Sequence, residues 1–103
     1  MYYRYEFELN NNIGILIGLD DIFDEDKALE LSLYFDLNLS RPTESLEGTI
    51  SYFTEKGNRK FNKAIKRIKK AALEKNINVI RIESDGSNLD ILYEDEYQIL
   101  AIR

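Results

Sequence analysis

Residues 56–75 read KGNRKFNKAIKRIKKAALEK, and how this stretch folds decides the architecture of the whole chain. Phe61, Ile65, Ile68 and Ala72 recur at spacings of three and four, so a helix gathers them into one apolar stripe, with Ala64 and Ala71 beside it. At about 100° per residue, Arg59, Lys63, Lys66 and Lys70 fall nearly opposite that stripe, while Lys60 and Arg67 flank it. The pattern predicts one long basic amphipathic helix over about 57–75. Thr54 or Asn58 is the candidate cap, and Asn76 is a plausible left-handed stop. A helix that is apolar on one side needs a sheet or a second helix to cover that side.

The flanking sequence supplies the strands. In YYRYEFEL, Tyr3, Tyr5, Phe7 and Leu9 alternate with Tyr2, Arg4, Glu6 and Glu8, the period of a half-buried strand, and Asn10-Asn11-Asn12 then turns the chain. GTISYFT (48–54) and INVIRIE (77–83) are rich in β-branched or aromatic residues, and Asp85-Gly86 breaks the second of them. LDILY (89–93) and YQILAI (97–102) read as a hairpin turned by Glu94-Asp95-Glu96, so the C-terminal third is expected to form a three-stranded meander.

Two segments leave the choice open. In 13–23, Ile13, Ile15 and Ile17 suggest a strand, whereas Ile15, Leu19, Ile22 and Phe23 have helical spacing behind a possible Asn12 cap. In 25–37, Leu29, Leu31, Leu33, Phe35 and Leu37 alternate strictly, yet the residues are helix formers with no β-branched member. Composition favours helix there, with Asp24, Glu25 and Asp26 at its positive end and Pro42 as its stop. The expected fold is therefore α+β. A small antiparallel sheet, made of the N-terminal strand, the central strand and the C-terminal meander, packs against the basic helix and one or two N-terminal helices.

The chain has 103 residues, enough for one two-layer domain. It contains neither cysteine nor histidine, so disulfides, thiolate metal sites and Ser-His or Cys-His nucleophile pairs are all excluded. The first residues lack the pattern of a secretory signal, and no apolar run reaches the length of a membrane span, so a cytoplasmic location is expected. An Asn38-Leu39-Ser40 sequon would matter only in a secreted protein. No phosphate-binding glycine fingerprint occurs, since Gly14 and Gly18 lack the strand-turn-helix setting. Carboxylates alone could hold Mg²⁺, and Asp20, Asp21, Asp24 and Asp26 are close in sequence, but their spacing is not diagnostic. Glu25-Asp26-Lys27 has a spacing met in nucleases without the strand that such sites need. Asp85-Gly86-Ser87-Asn88 resembles a calcium loop only superficially, because Leu89 stands where an oxygen ligand is required. Neither a metal nor another cofactor is expected.

Charge is strongly segregated. Residues 56–75 carry nine basic groups against Glu74 alone, a local charge of +8, and the other 83 residues carry −13, which together restore the net −5. Two contact surfaces follow. The acidic set, Asp20, Asp21, Asp24, Glu25 and Asp26 with Glu94, Asp95 and Glu96, suits a basic protein surface. The basic ridge, Arg59, Lys60, Lys63, Lys66, Arg67 and Lys70, suits nucleic-acid phosphates. Either can instead be ordinary solvated surface, the ridge answered by carboxylates on neighbouring strands or by a self-associating subunit. Seven tyrosines also suit recognition, though Tyr3 and Tyr5 belong to the core face of the first strand.

The expectation from these features is a non-catalytic binding protein that modulates or inhibits another macromolecule, a protein or a ribonucleoprotein, through its acidic surface. Small acidic single domains of this kind occur among phage and mobile-element inhibitors of host defence, including anti-CRISPR proteins, and among immunity proteins. That likeness is one of class alone. A nucleic-acid-binding module using 56–75 is the alternative, and a carboxylate metal-dependent enzyme a distant third. No membrane partner is expected; self-association is compatible with the composition.

Overall fold

A computed structural model describes residues 1–39 and 48–102. Pro42, the expected helix stop, and Ser40 of the sequon lie outside the described residues. The fold is α+β, and the described residues form a six-stranded antiparallel sheet and four helices. In chain order these are β1 (Tyr2–Phe7), β2 (Ile13–Gly14), α1 (Leu19–Ile22), α2 (Glu25–Asn38), β3 (Thr49–Phe53), α3 (Glu55–Lys60), α4 (Asn62–Leu73), β4 (Val79–Ser84), β5 (Asp90–Glu94) and β6 (Gln98–Ile102).

The basic segment forms its helix with the expected face inward: Phe61, Ile68 and Ala72 are wholly buried and Ile65 nearly so. It is not one helix, however. Phe61, at φ −96° and ψ 8°, leaves helical geometry and separates α3 from α4. Two docking demands explain the break. Gly57 brings α3 so close to the β5–β6 turn that an added Cβ would collide with the Tyr97 carbonyl oxygen. α4, by contrast, turns its seam into the core cluster that Tyr5 and Phe7 of β1 and Leu31 and Phe35 of α2 also enter. Phe61 sits at the bend, stacked 5.1 Å from Phe35 and within 5.6 Å of Phe53. Thr54 caps α3 by accepting from the Gly57 N–H and donates its hydroxyl to the Glu96 carbonyl.

The C-terminal meander is also corrected. β5 and β6 form the expected hairpin, but β4 pairs with β1 along its whole length, from Tyr2 opposite Ser84 to Phe7 opposite Val79. Asn76, left-handed at φ 60°, reverses the chain after α4, and the Glu8 N–H then donates to the Asn78 carbonyl. The chain leaving α4 thus reaches the open edge of β1. The other edge of β1 is shared by β2, at Glu6 and Phe7, and β3, at Tyr3, beyond which come β6 and β5.

That crowding buries Arg4, which strand alternation alone assigns to the solvent face. Its guanidinium is 5% exposed, bonds Glu6 at 2.6 Å and donates to the Ser51 carbonyl. Gly14 makes room, since an added Cβ would stand 2.8 Å from the Arg4 Nη2.

Residues 13–23 prove to be both things in turn, a two-residue strand followed by the short α1. Asn12 serves the preceding turn, where its side chain accepts from the Leu9 N–H, and does not cap a helix. α2 is the expected helix, capped by Asp24 through the Lys27 N–H at 2.9 Å.

Candidate binding surface

Alternation inside a helix has a geometric consequence. Residues two apart lie about 200° apart on the wheel, so an alternating apolar pattern wound into a helix yields two opposed apolar faces. α2 has both. Ala28, Leu31 and Phe35 are buried against the core. Leu29, Leu33 and Leu37 form a row on the opposite side and are 59%, 56% and 75% exposed, with the partly exposed Tyr34 beside them. Sequence reasoning singled out none of the three leucines as contact residues, although the conflict between alternation and helix-forming composition was their signal.

Acidic groups surround the start of this row. Asp20 and Asp21 are exposed on α1, Asp24 caps α2, and Glu25 and Asp26 occupy its exposed first turn. None of the five forms an ion pair with another described residue. The structure therefore brings the first acidic cluster together at one pole.

Glu94, Asp95 and Glu96 belong elsewhere. At one end of the α3–α4 rod Lys56 pairs with Glu96, and at the other the Lys75 ammonium lies 5.8 Å from the Phe23 ring centre, next to Asp24. The two clusters therefore lie toward opposite ends of the α3–α4 segment. The second cluster is also occupied in holding its turn. Asp95 accepts from the Tyr97 and Gln98 N–H groups and from the Tyr93 hydroxyl. Partial burial pushes its carboxyl up, but those hydrogen bonds outweigh it and hold the group below its ordinary range.

The basic ridge is divided in the same way. Arg67 bonds Glu30 at 3.0 Å, Arg59 lies 3.9 Å from Glu55, and the Lys60 ammonium stands 4.5 Å over the Tyr97 ring. Lys63, Lys66 and Lys70 are exposed and pair with no described carboxylate. They form a free cationic row along α4.

Catalytic or cofactor geometry would need convergence, and among the described residues no three of Asp, Glu, His or Cys come together to hold a metal. Glu25-Asp26-Lys27 lies on a helix, not a strand. Asp85 accepts from the Ser87 N–H and hydroxyl, which draw its carboxyl below the ordinary range and make the segment a turn, with Gly86 at φ +90°. A cavity of about 30 Å³ beside Arg4, Ser51 and Gln98 is of the order of one water. A shallow groove of about 230 Å³ lies between Lys27 and Glu30 of α2 and Arg67, Lys70 and Glu74 of α4. Both are below the usual size of a small-molecule pocket, about 300–1,000 Å³. No helix among the described residues is long and apolar enough to cross a membrane.

No protein-family model, curated protein or solved structure matches the chain.

Proposed function

We propose that the chain is a non-catalytic binding protein that modulates another macromolecule, and that it meets a protein or ribonucleoprotein through Asp20, Asp21, Asp24, Glu25 and Asp26. The observation that carries this reading is that these five carboxylates lie exposed around the start of α2 and pair with no cation among the described residues, whereas Glu94–Glu96 are used within the fold. Unanswered charge of one sign steers a partner of the other and accelerates encounter. Small acidic domains of this kind occur among inhibitors of host defence and immunity proteins, and we propose an action of that type by this likeness of class alone.

The test is a pull-down from the native host, read by mass spectrometry with and without nuclease, followed by rates with the recovered partner. Replacing Asp20, Asp21, Asp24 and Asp26 by Asn is expected to slow association about tenfold or more, with the fold kept because Asn caps a helix as well as Asp does. Unchanged association would refute the acidic pole.

The free row of Lys63, Lys66 and Lys70 favours a second reading, contact with nucleic-acid phosphates. In that case capture is lost on nuclease treatment, wild-type affinity falls steeply with salt, and Lys63→Glu with Lys66→Glu and Lys70→Glu abolishes it.

A further inference from the structure

We infer that the outer edge of β4 is a self-association surface, and that its occupant is a second copy of this chain, the two β4 strands pairing antiparallel about a two-fold axis at Ile82. The inference does not depend on the acidic-pole reading. An isologous contact needs a surface complementary to itself, and β4 has that property.

The edge is open and its backbone groups aim outward. Among the described residues β4 pairs with β1 alone. The Glu8 N–H donates to the Asn78 carbonyl, which fixes the phase of the β1–β4 ladder: Asn78, Ile80, Ile82 and Ser84 are its hydrogen-bonded positions. The N–H and C=O groups of Val79, Arg81 and Glu83 therefore point away from β1, and none of them bonds another described residue. β4 is also regular, Val79–Ser84 without glycine, proline or bulge, whereas the opposite edge strand, β5, is interrupted between Ile91 and Tyr93. A regular unpaired edge is a template for a further strand.

Charge selects both the occupant and the register. Joining outward groups to outward groups sets positions 79, 81 and 83 opposite one another. Centred on Arg81 or on Glu83, the pairing puts that charge against itself. Centred on Ile82, it puts Arg81 of each copy opposite Glu83 of the other in hydrogen-bonded pairs, with Ile80 opposite Ser84 and Ile82 beside its counterpart. Arg81 and Glu83 are exposed and already bond each other at 2.8 Å within the strand, and the Arg81 guanidinium lies 5.6 Å from the Tyr3 ring centre. A second copy brings the same pair in reverse order, so the four groups form one network of alternating sign. β5 fails the same comparison, because pairing about Leu92 would set Asp90 against Glu94. A six-residue edge is small for an interface, so the dimer is reversible, with a Kd of about 10 µM to about 1 mM.

The test is sedimentation equilibrium of the full chain from about 10 µM to about 1 mM in about 0.15 M salt, where a Debye length of about 8 Å screens the net −5 of each copy. The weight-average mass should rise from monomer toward dimer. Arg81→Glu and Glu83→Arg, each with an unchanged melting curve, should each weaken dimerisation about tenfold or more, because both cross-strand pairs turn repulsive. An equimolar mixture of the two variants should dimerise as the wild type does, since unlike copies again oppose charges of opposite sign. The in-strand pair is broken in both variants and cannot account for that recovery. In the wild type, hydrogen exchange of the Arg81 and Glu83 amides should slow severalfold as the dimer forms, while that of Ile80 and Ile82, already bonded to β1, should not change. The exchange pattern decides the matter even where a variant does not fold. A monomer up to about 1 mM, single variants that dimerise like the wild type, a mixture of folded variants that stays monomeric, or unslowed exchange at Arg81 and Glu83 overturns the pairing. So does a dimer that persists in Arg81→Glu and dissociates on Leu33→Ser, which would give the contact to α2.

Discussion

Ile65 and Lys66 are neighbours with opposite fates, and the difference is a measure of how firmly the basic helix is oriented. Ile65 is buried in the seam, so Ile65→Ala should destabilise by about 2–5 kcal/mol. Lys66 stands in solvent and pairs with no described carboxylate, so Lys66→Ala should change stability by less than about 0.5 kcal/mol. Equal shifts in urea melts would mean that α4 is rotated. Gly57 is a different kind of residue, needed for want of a side chain. Gly57→Ala forces α3 off the Tyr97 carbonyl and should destabilise by about 1–3 kcal/mol, against a gain if the site were an ordinary helix interior. Asp95 gives the molecule an acid-sensitive turn. Its folded carboxyl titrates below the unfolded value of about 3.9, so its contribution is complete above that value and is lost as pH falls through the folded pKa. Replacing Asp95 by Asn should therefore flatten the loss of stability below about pH 4 in urea melts at stepped pH. A variant as acid-sensitive as the wild type would contradict this.

At the scale of elements, caps and packing decide where each segment stops. Thr54 both caps α3 and ties it to the Glu96 carbonyl, so Thr54→Ala should cost about 1–2 kcal/mol in a denaturant melt, and a cost near zero would mean that the cap is idle. Much of this level was legible in the sequence. The amphipathic stripe of 61–72, the acidic start of α2, the left-handed Asn76 and the Asp95 hairpin all follow from local patterns that local physics enforces. What was not legible depends on neighbours. Nothing within 77–83 says whether it meets the first strand or the next one, because an open sheet edge accepts any strand that reaches it. Arg4 reads as a surface residue until β2 and β3 share one edge of β1 over it. The bend at Phe61 arises from two surfaces, the hairpin and the core cluster, that come together only in the fold. The α2 row was visible only as a contradiction between period and composition, and that contradiction is the trace of a helix that is apolar on both sides.

At the scale of the whole molecule, the segregated charge of the sequence is reorganised rather than simply displayed. Part of each pole is spent internally, by Glu30, Glu55 and Glu96 on the basic helices and by Asp95 on its own turn. Two unspent charged surfaces remain: Lys63, Lys66 and Lys70 on α4, and the Asp20–Asp26 pole at the start of α2. Electrostatics at the acidic pole should govern the rate of association. Reversal of the α4 row should leave that rate intact. The most direct measurement is the association rate with the partner recovered by pull-down, taken between about 50 and about 200 mM salt for three proteins: the wild type, the Asp20, Asp21, Asp24 and Asp26 to Asn variant, and the Lys63, Lys66 and Lys70 to Glu variant. The acidic-pole variant should associate slowly and with little salt dependence, and the ridge variant should match the wild type. Unimpaired association of the acidic-pole variant, with binding lost in the ridge variant, would contradict the account and assign contact to the basic helix.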